Sequence, residues 1–399
     1  MFLKNVFVTL LGICTVVWEC GSPTMSAVDH AVKPAGTTKS LKLAATYKRN
    51  KLQEISGDGD LLLFYESSKP MRTYTIPLGG GKGRANQPDV NTDVLRVVER
   101  VSGREAGRLE VGFFPDDVQF IPGTRRVFYT EPKHIGDKLE WRIKIWVLAN
   151  GDARECSAAN AVAQSFNLID AQHVLNILRQ PGKDDLAILA LPGCSQTAGV
   201  LIEHPGPIAG SISFSPTRKE LAYLTGGKVM IRDTATLDVI REIDSATDMN
   251  WGLEASYTPD GKFLLVLATN TIRDKPDTKR FLYFYDTTNY QLARQLDITS
   301  WNPPVVNDEV TFQSNVIGTA LAIAPDSRTM AVAYEKGRQP QVVLYDLETG
   351  KEVGRAIHPA VRENRKDPFA ARIGKLAFTP DGKYLFSSTH DTLVWEVPS

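Results

Sequence analysis

Short apolar runs rich in β-branched and aromatic residues alternate with clusters of Pro, Gly, Asp and Ser along most of this chain, the pattern of strands joined by tight turns. The pattern repeats in the second half. Phe214-Ser-Pro-Thr-Arg-Lys-Glu-Leu-Ala-Tyr-Leu precedes Val229-Met-Ile-Arg-Asp233, and Tyr257-Thr-Pro-Asp-Gly-Lys-Phe-Leu-Leu-Val-Leu precedes Phe281-Leu-Tyr-Phe-Tyr-Asp286. Ile323-Ala-Pro-Asp-Ser-Arg-Thr-Met-Ala-Val-Ala precedes Val342-Val-Leu-Tyr-Asp346, and Phe378-Thr-Pro-Asp-Gly-Lys-Tyr-Leu-Phe-Ser-Ser precedes Leu393-Val-Trp395. In each unit an apolar strand ends at a Pro-Asp-Gly-type turn, where Pro presets φ and Gly accepts positive φ. A second strand, a loop and a third strand follow, and an Asp-x-x-Thr-Gly-type turn leads into a fourth.

Weaker copies lie upstream, at Ile55-Ser-Gly-Asp-Gly-Asp60, at Phe120-Ile-Pro-Gly-Thr-Arg125 and at Val174-Leu-Asn-Ile-Leu178 with Pro181-Gly182. Taking Asp58, Pro122, Pro181, Pro216, Pro259, Pro325 and Pro380 as the turn anchors predicts seven units. A four-stranded sheet with two apolar faces is not stable alone, so neighbouring copies must cover it. The predicted fold is therefore all-β: a seven-bladed β-propeller of four-stranded antiparallel blades. The last unit has only three strands before Ser399, while the strand-like run from Leu41 to Tyr47 is left over ahead of the first. An N-terminal strand joining the last blade would close the ring and cover a sheet edge.

These units resemble WD-repeat and related bacterial β-propeller repeats, whose blades carry a Ser-Pro-Asp-Gly turn and a third strand ending in Trp-Asp or Tyr-Asp. Tyr285-Asp286, Tyr345-Asp346, Arg232-Asp233 and Trp395-Glu396 stand in that place, and the match is strongest from Ser211 to Ser399. No unit has the Gly-His pair that opens many WD repeats, and His390-Asp391 is the nearest to the polar residues that knit a blade internally. The resemblance implies a platform for other proteins, with a minority of enzymes in the wider class, and fold alone does not choose between them.

Composition adds the compartment. Lys4, an apolar run from Val6 to Trp18, then Cys20-Gly-Ser-Pro23 have the layout of a secretory signal peptide, expected over residues 1–23. Residues 24–40 read as a flexible linker and 41–399 as the propeller, placing the mature protein outside the cytoplasm, periplasmic or secreted, with membrane contact only through the export segment. Outside the export segment the cysteines are Cys156 and Cys194, a pair compatible with one disulfide or with two buried thiols. Lys and Arg number 46 against 46 Asp and Glu, which gives no general surplus for nucleic acid.

The long insertions fall on one predicted face. Glu66 to Asp93, Glu131 to Glu140 and Asn270 to Lys279 read as second-to-third loops, and Trp301 to Phe312 and His358 to Ala370 as links between blades. Insertions on one face of a repeat array commonly mark the binding face, and its candidate residues are Arg84, Arg273, Trp301, His358 and Arg362. Trp301, in Ser-Trp-Asn-Pro-Pro, would either anchor an interface or tuck against the next blade. Gly79-Gly-Gly-Lys-Gly-Arg84 is not a phosphate loop, because Gly83 follows Lys82 where Ser or Thr is needed. Asp58-Gly-Asp60 lacks the remaining ligands of a calcium loop, and no catalytic or cofactor motif is present, so no catalytic residue, cofactor or metal is assigned. The expected function is a non-enzymatic platform for a protein or peptide. The alternatives are a lactonase-like or quinoprotein-like enzyme at the channel mouth, and a carbohydrate- or envelope-binding module.

Overall fold

The left-handed backbone that a Pro-Asp-Gly turn needs is present where the sequence offers Gly for it: Gly59, Gly261 and Gly382 have φ of 77, 71 and 69°. These turns open blades 1, 5 and 7 of the computed structural model. The chain divides into Met1–Thr37 and Thr38–Ser399. The structure describes residues 39–398 except 49, 67–92, 112–115, 136–137, 157–164, 181–182, 204–208, 226, 245–250, 270–278, 302–319, 337–338, 360–372 and 390.

Two strands precede the first blade, β1 (Lys39–Ser40) and β2 (Lys42–Tyr47). Blade 1 is β3 (Asn50–Ile55), β4 (Leu61–Glu66), β5 (Asp93–Glu99) and β6 (Glu105–Val111). Blade 2 is β7 (Asp116–Phe120), β8 (Arg126–Ile135), β9 (Lys138–Val147) and β10 (Ala153–Cys156). Blade 3 is β11 (Ser165–Leu168), β12 (His173–Gln180), β13 (Lys183–Ala190) and β14 (Ser195–Glu203). Blade 4 is β15 (Ala209–Phe214), β16 (Glu220–Thr225), β17 (Lys228–Asp233) and β18 (Val239–Asp244). Blade 5 is β19 (Trp251–Tyr257), β20 (Phe263–Thr269), β21 (Arg280–Asp286) and β22 (Leu292–Asp297). Blade 6 is β23 (Leu321–Ile323), β24 (Thr329–Lys336), β25 (Gln339–Asp346) and β26 (Glu352–Ile357). Blade 7 is β27 (Lys375–Phe378), β28 (Tyr384–Ser388) and β29 (Thr392–Glu396), completed by β2. Each blade is an antiparallel meander, so the seven-bladed propeller stands.

Alternation along each strand sends side chains to two different interfaces. On β4, Leu61, Leu63 and Tyr65 pack with Val118, Phe120, Val127, Tyr129 and Trp146 of blade 2. Leu62 and Phe64, between them in sequence, pack with Phe386 and Val394 of blade 7. Every other neighbouring pair of blades shares a cluster of the same kind. The first and last blades thus meet like any other two.

Closure is covalently remote and locally tight. β2 pairs antiparallel with β29, Leu43 opposite Trp395 and Tyr47 opposite Thr392, as expected for the N-terminal run. One detail differs. Lys39 and Ser40, read from sequence as linker, form β1, which lies parallel to Gly354 and Arg355 on the outer edge of blade 6. The N-terminal segment therefore straps two blades. Its Leu41 is buried among blade 6 and blade 7 side chains, and its N–H donates to the Arg355 carbonyl at 2.8 Å. Gly354 makes room for it, since a β-carbon there would lie 2.8 Å from Leu41 Cδ1.

Two other expectations shift. The blade 3 anchor is displaced by one strand: its first turn is Ile169 to Gln172, after β11, and Pro181, itself outside the described residues, falls between β12 and β13. Glu131 to Glu140 is no loop. β8 and β9 continue their ladder from Glu131 opposite Arg142 to Ile135 opposite Lys138.

Gly354→Val would overfill the strap and lower stability by about 1–3 kcal/mol. A shifted denaturant midpoint is the expected reading, and an unchanged midpoint would show that Leu41 is not held there.

Candidate functional site

The seven blades present two unlike ends. First-to-second and third-to-fourth connections are all four or five residues long, as in Ser56 to Asp60, Thr258 to Lys262 and Leu347 to Lys351. At the other end lie the connections spanning 67–92, 270–279, 298–320 and 358–374. The one-sided distribution of long connections holds, with 131–140 removed from it.

The expected binding-face residues divide into two groups. Arg84, Arg273 and Arg362 lie outside the described residues. Trp301 and His358 are inside the protein, 2% and 3% exposed, and are not available to a partner at the surface. Trp301 ends a single 3₁₀ turn (Thr299–Trp301) after blade 5 and packs onto blade 6. Its indole stacks on Tyr345 with centroids 4.0 Å apart and planes within 8°, and its Nε1 donates to the Gly350 carbonyl at 2.9 Å. A large aromatic in a link can fill the seam between two blades as readily as a partner's pocket, and here it fills the seam.

His358 follows β26 and enters blade 7. Its Nε2 is 2.7 Å from Ser387 Oγ, Trp395 Nε1 donates to the same hydroxyl at 2.7 Å, and the His358 backbone N–H donates to the Pro340 carbonyl. Beside this network, Leu52 N–H of blade 1 reaches Ser388 Oγ at 3.0 Å and Thr392 Oγ1 at 3.1 Å, and Thr392 Oγ1 donates to the Asn50 carbonyl at 2.6 Å. Ser387, Ser388 and Thr392 are fully buried, so these bonds satisfy groups that water cannot reach. The polar core of blade 7 is thus a structural lock, linking the link from blade 6 to the entry of blade 1.

Toward the axis, the first strand of each blade has a backbone edge with no strand to pair. Side chains supply the missing acceptors. The Glu54 carboxylate of β3 accepts the Phe120 N–H of β7. Gln119 of β7 accepts the Leu168 N–H of β11 at 3.3 Å, and Ser213 of β15 accepts the Tyr257 N–H of β19 at 3.0 Å. Glu54, Gln119 and Ser213 occupy the same place relative to the following turn, so this is one interaction repeated. Glu54 is its charged member. Burial raises its carboxyl to about 7, against the opposing pull of the Phe120 N–H, Lys375 and Arg218. Arg218 sits in the first turn of blade 4, open to solvent, and donates to the Leu168 carbonyl at 3.0 Å.

A shallow cleft between blades 5 and 6, with room for about 50 Å³, is lined by Glu254, Ser256 and apolar residues including Leu267, Leu282 and Met330. Among the described residues no group of three His, Cys, Asp or Glu side chains is arranged to hold a metal ion. Cys194, in the third-to-fourth turn of blade 3, is disulfide-bonded. The side chain of Cys156, its expected partner, lies outside the described residues.

No family model matches this chain, and no curated protein matches it in sequence. Among solved structures 970 chains match. One, from "Crystal Structure of Mitotic Checkpoint Complex", superposes with a TM-score of 0.54 at 11% identity, covering 94% of this chain and 100% of that chain. What this likeness shows is the fold. At that identity it extends no further than a seven-bladed propeller.

Burial pulls the His358 imidazole from 6.5 down to about 4. The unfolded chain therefore takes up a proton that the folded chain refuses, and stability is complete above about pH 6.5 and lost as pH falls toward 4. The loss amounts to about 3 kcal/mol for this group. Denaturant melts across that window should show it, and His358→Gln should flatten the dependence; an equal slope in both proteins would place the proton elsewhere.

Proposed function

We propose that this chain is an exported, non-enzymatic interaction platform that engages a protein or peptide through the end carrying the long connections. The observation that carries this reading is the contrast between the two ends. One end has connections of four or five residues, while the other carries every long insertion. Rigid elements presenting variable connections on one face are the usual arrangement of a recognition surface. Arg84, Arg273 and Arg362 belong to those connections and remain the basic contact residues of this reading, and Trp301 and His358 are withdrawn from it.

Export is supported by the signal-like N-terminal pattern and by the oxidised state of Cys194, since disulfides persist outside reducing compartments. The resemblance to WD-repeat and bacterial propeller repeats points the same way as the platform role. An enzyme of the lactonase-like or quinoprotein-like kind would instead use the channel, where Glu54 has a near-neutral carboxyl.

Replacing residues 67–92 with a short Gly-Ser bridge, and separately changing Arg362→Ala, should remove partners cross-linked to the wild-type protein in the exported fraction. Lys383→Glu, at the short-turn end, should leave them in place. Loss with Lys383→Glu alone would assign recognition to the other end. Peptide mapping of the exported protein without reductant should find residues 156 and 194 in one cross-linked species and a mature N-terminus near residue 24; a free Cys156 or a retained leader would contradict the assignment.

A further inference from the structure

Three seams between blades are bridged near the axis by a side chain, and a fourth has the side chain without the bridge. Glu54, Gln119 and Ser213 each stand two residues before the first turn of their blade. They accept the N–H groups of Phe120, Leu168 and Tyr257, on the inner strand of the next blade. Ser256 of β19 holds the same place in blade 5, and Ile323 of β23 is the counterpart of those three donors. No bond joins them, and among the described residues Ser256 Oγ has no hydrogen-bond partner. Blades 6 and 7 have Ala322 and Ala377 there, with no acceptor to offer, and Asn167 of blade 3 turns to Ser165 at 3.3 Å.

The donor is unused as well. β23 is the last strand of its sheet, paired with β24 alone. Ala324 N–H bonds to the Thr329 carbonyl at 2.8 Å, and Ala333 N–H to the Ala320 carbonyl at 2.9 Å. Paired and unpaired positions alternate along an antiparallel ladder. The N–H groups of Leu321 and Ile323 therefore point away from β24, along an edge that no strand covers.

Both unused groups line one space. The cleft between blades 5 and 6 has Glu254 and Ser256 on one side, Leu321 and Ile323 on the other, and Leu267, Leu282 and Met330 in its apolar lining. A cavity of about 150 Å³ takes benzene, so room for about 50 Å³ suits a small branched aliphatic group instead. Its occupant must accept from Ile323 N–H, offer a donor to Ser256 Oγ and carry that aliphatic group. An ammonium has no acceptor and a carboxylate no donor, and the Glu254 carboxylate turns the site away from anions. A trans peptide unit has both groups, pointing in opposite directions.

We propose that the β23 edge and this cleft form a docking site for an extended peptide that places a small aliphatic side chain, such as that of valine, in the cleft. A peptide carbonyl accepts from Ile323 N–H, a peptide N–H donates to Ser256 Oγ, and the side chain rests on Leu267, Leu282 and Met330. Main-chain bonds to a strand edge supply affinity in such a mode, and the pocket selects the side chain. The site faces the axis, away from the long connections, and does not depend on the partner assigned to them.

Titration of the protein with N-acetyl-valine N-methylamide, followed through its NMR resonances, tests this. Saturable shifts of the Ile323 amide and the Met330 methyl group are expected. N-acetyl-glycine N-methylamide, which has the same peptide units and no side chain, should bind at least about tenfold more weakly. Ser256→Ala should weaken binding of the valine peptide by about threefold to tenfold. Isovalerate, aliphatic but anionic and without an N–H, should leave the Ile323 amide unmoved. Absence of a saturable shift at Ile323 would overturn the site and leave the cleft to water bridging Ser256 and Ile323. Equal affinity for the two peptides, or unchanged affinity in Ser256→Ala, would contradict the proposal as well. Should that variant fail to fold, the comparison of valine with glycine in the wild-type protein decides.

Discussion

Each blade of this protein has two apolar faces and no means of covering either one itself. β4 shows the constraint in five residues: Leu61, Leu63 and Tyr65 need blade 2, and Leu62 and Phe64 need blade 7. Apolar burial is the main favourable contribution to folding, so no blade is stable until both neighbours are in place, and the ring has to close. The N-terminal strap and the buried hydroxyls of Ser388 and Thr392 are how it closes, with Leu41 fitting over Gly354 on one side and Leu52 bonded on the other. Residues some three hundred positions apart thereby become as mutually dependent as neighbours.

Blades 4 to 7 are legible in the sequence because their turns require particular residues. A left-handed turn position selects Gly, and a preset φ selects Pro, so Pro259-Asp-Gly261 and Pro380-Asp-Gly382 announce their turns directly. Blade 3 is displaced by one strand for the same reason. Its first turn uses Asp170, which accepts from the Gln172 and His173 N–H groups, in place of Pro-Asp-Gly. The Pro-Gly pair at 181–182 then attracts the assignment to the next connection. Glu131 to Glu140 fails differently: Pro132 and several charged residues suggest a loop, yet two long neighbouring strands continue their ladder through them.

The candidate site was less legible than the fold. Trp301 and His358 stand in links whose composition is polar, and their burial is decided by residues far away in sequence, Tyr345 in one case and Ser387 and Trp395 in the other. Glu54 and Ser256 gave no motif at all. A signal was present in the register, since Glu54, Gln119, Ser213 and Ser256 precede their turns by the same interval. Only the ring brings these residues to one axis, and the same ring separates a uniform, short-turn end from one free to carry insertions. That division follows from the meander itself: first-to-second and third-to-fourth turns share one end, and second-to-third loops and the links between blades share the other.

Native-state hydrogen exchange tests the closed ring most directly. The account predicts that the β29 amides facing β2 and the Leu52 amide of blade 1 exchange only through the same global opening, with equal free energies and equal denaturant dependence. Exchange of the β2–β29 ladder at a markedly lower free energy, with blade 1 still protected, would mean that the ring stands without its N-terminal strand and would contradict the account.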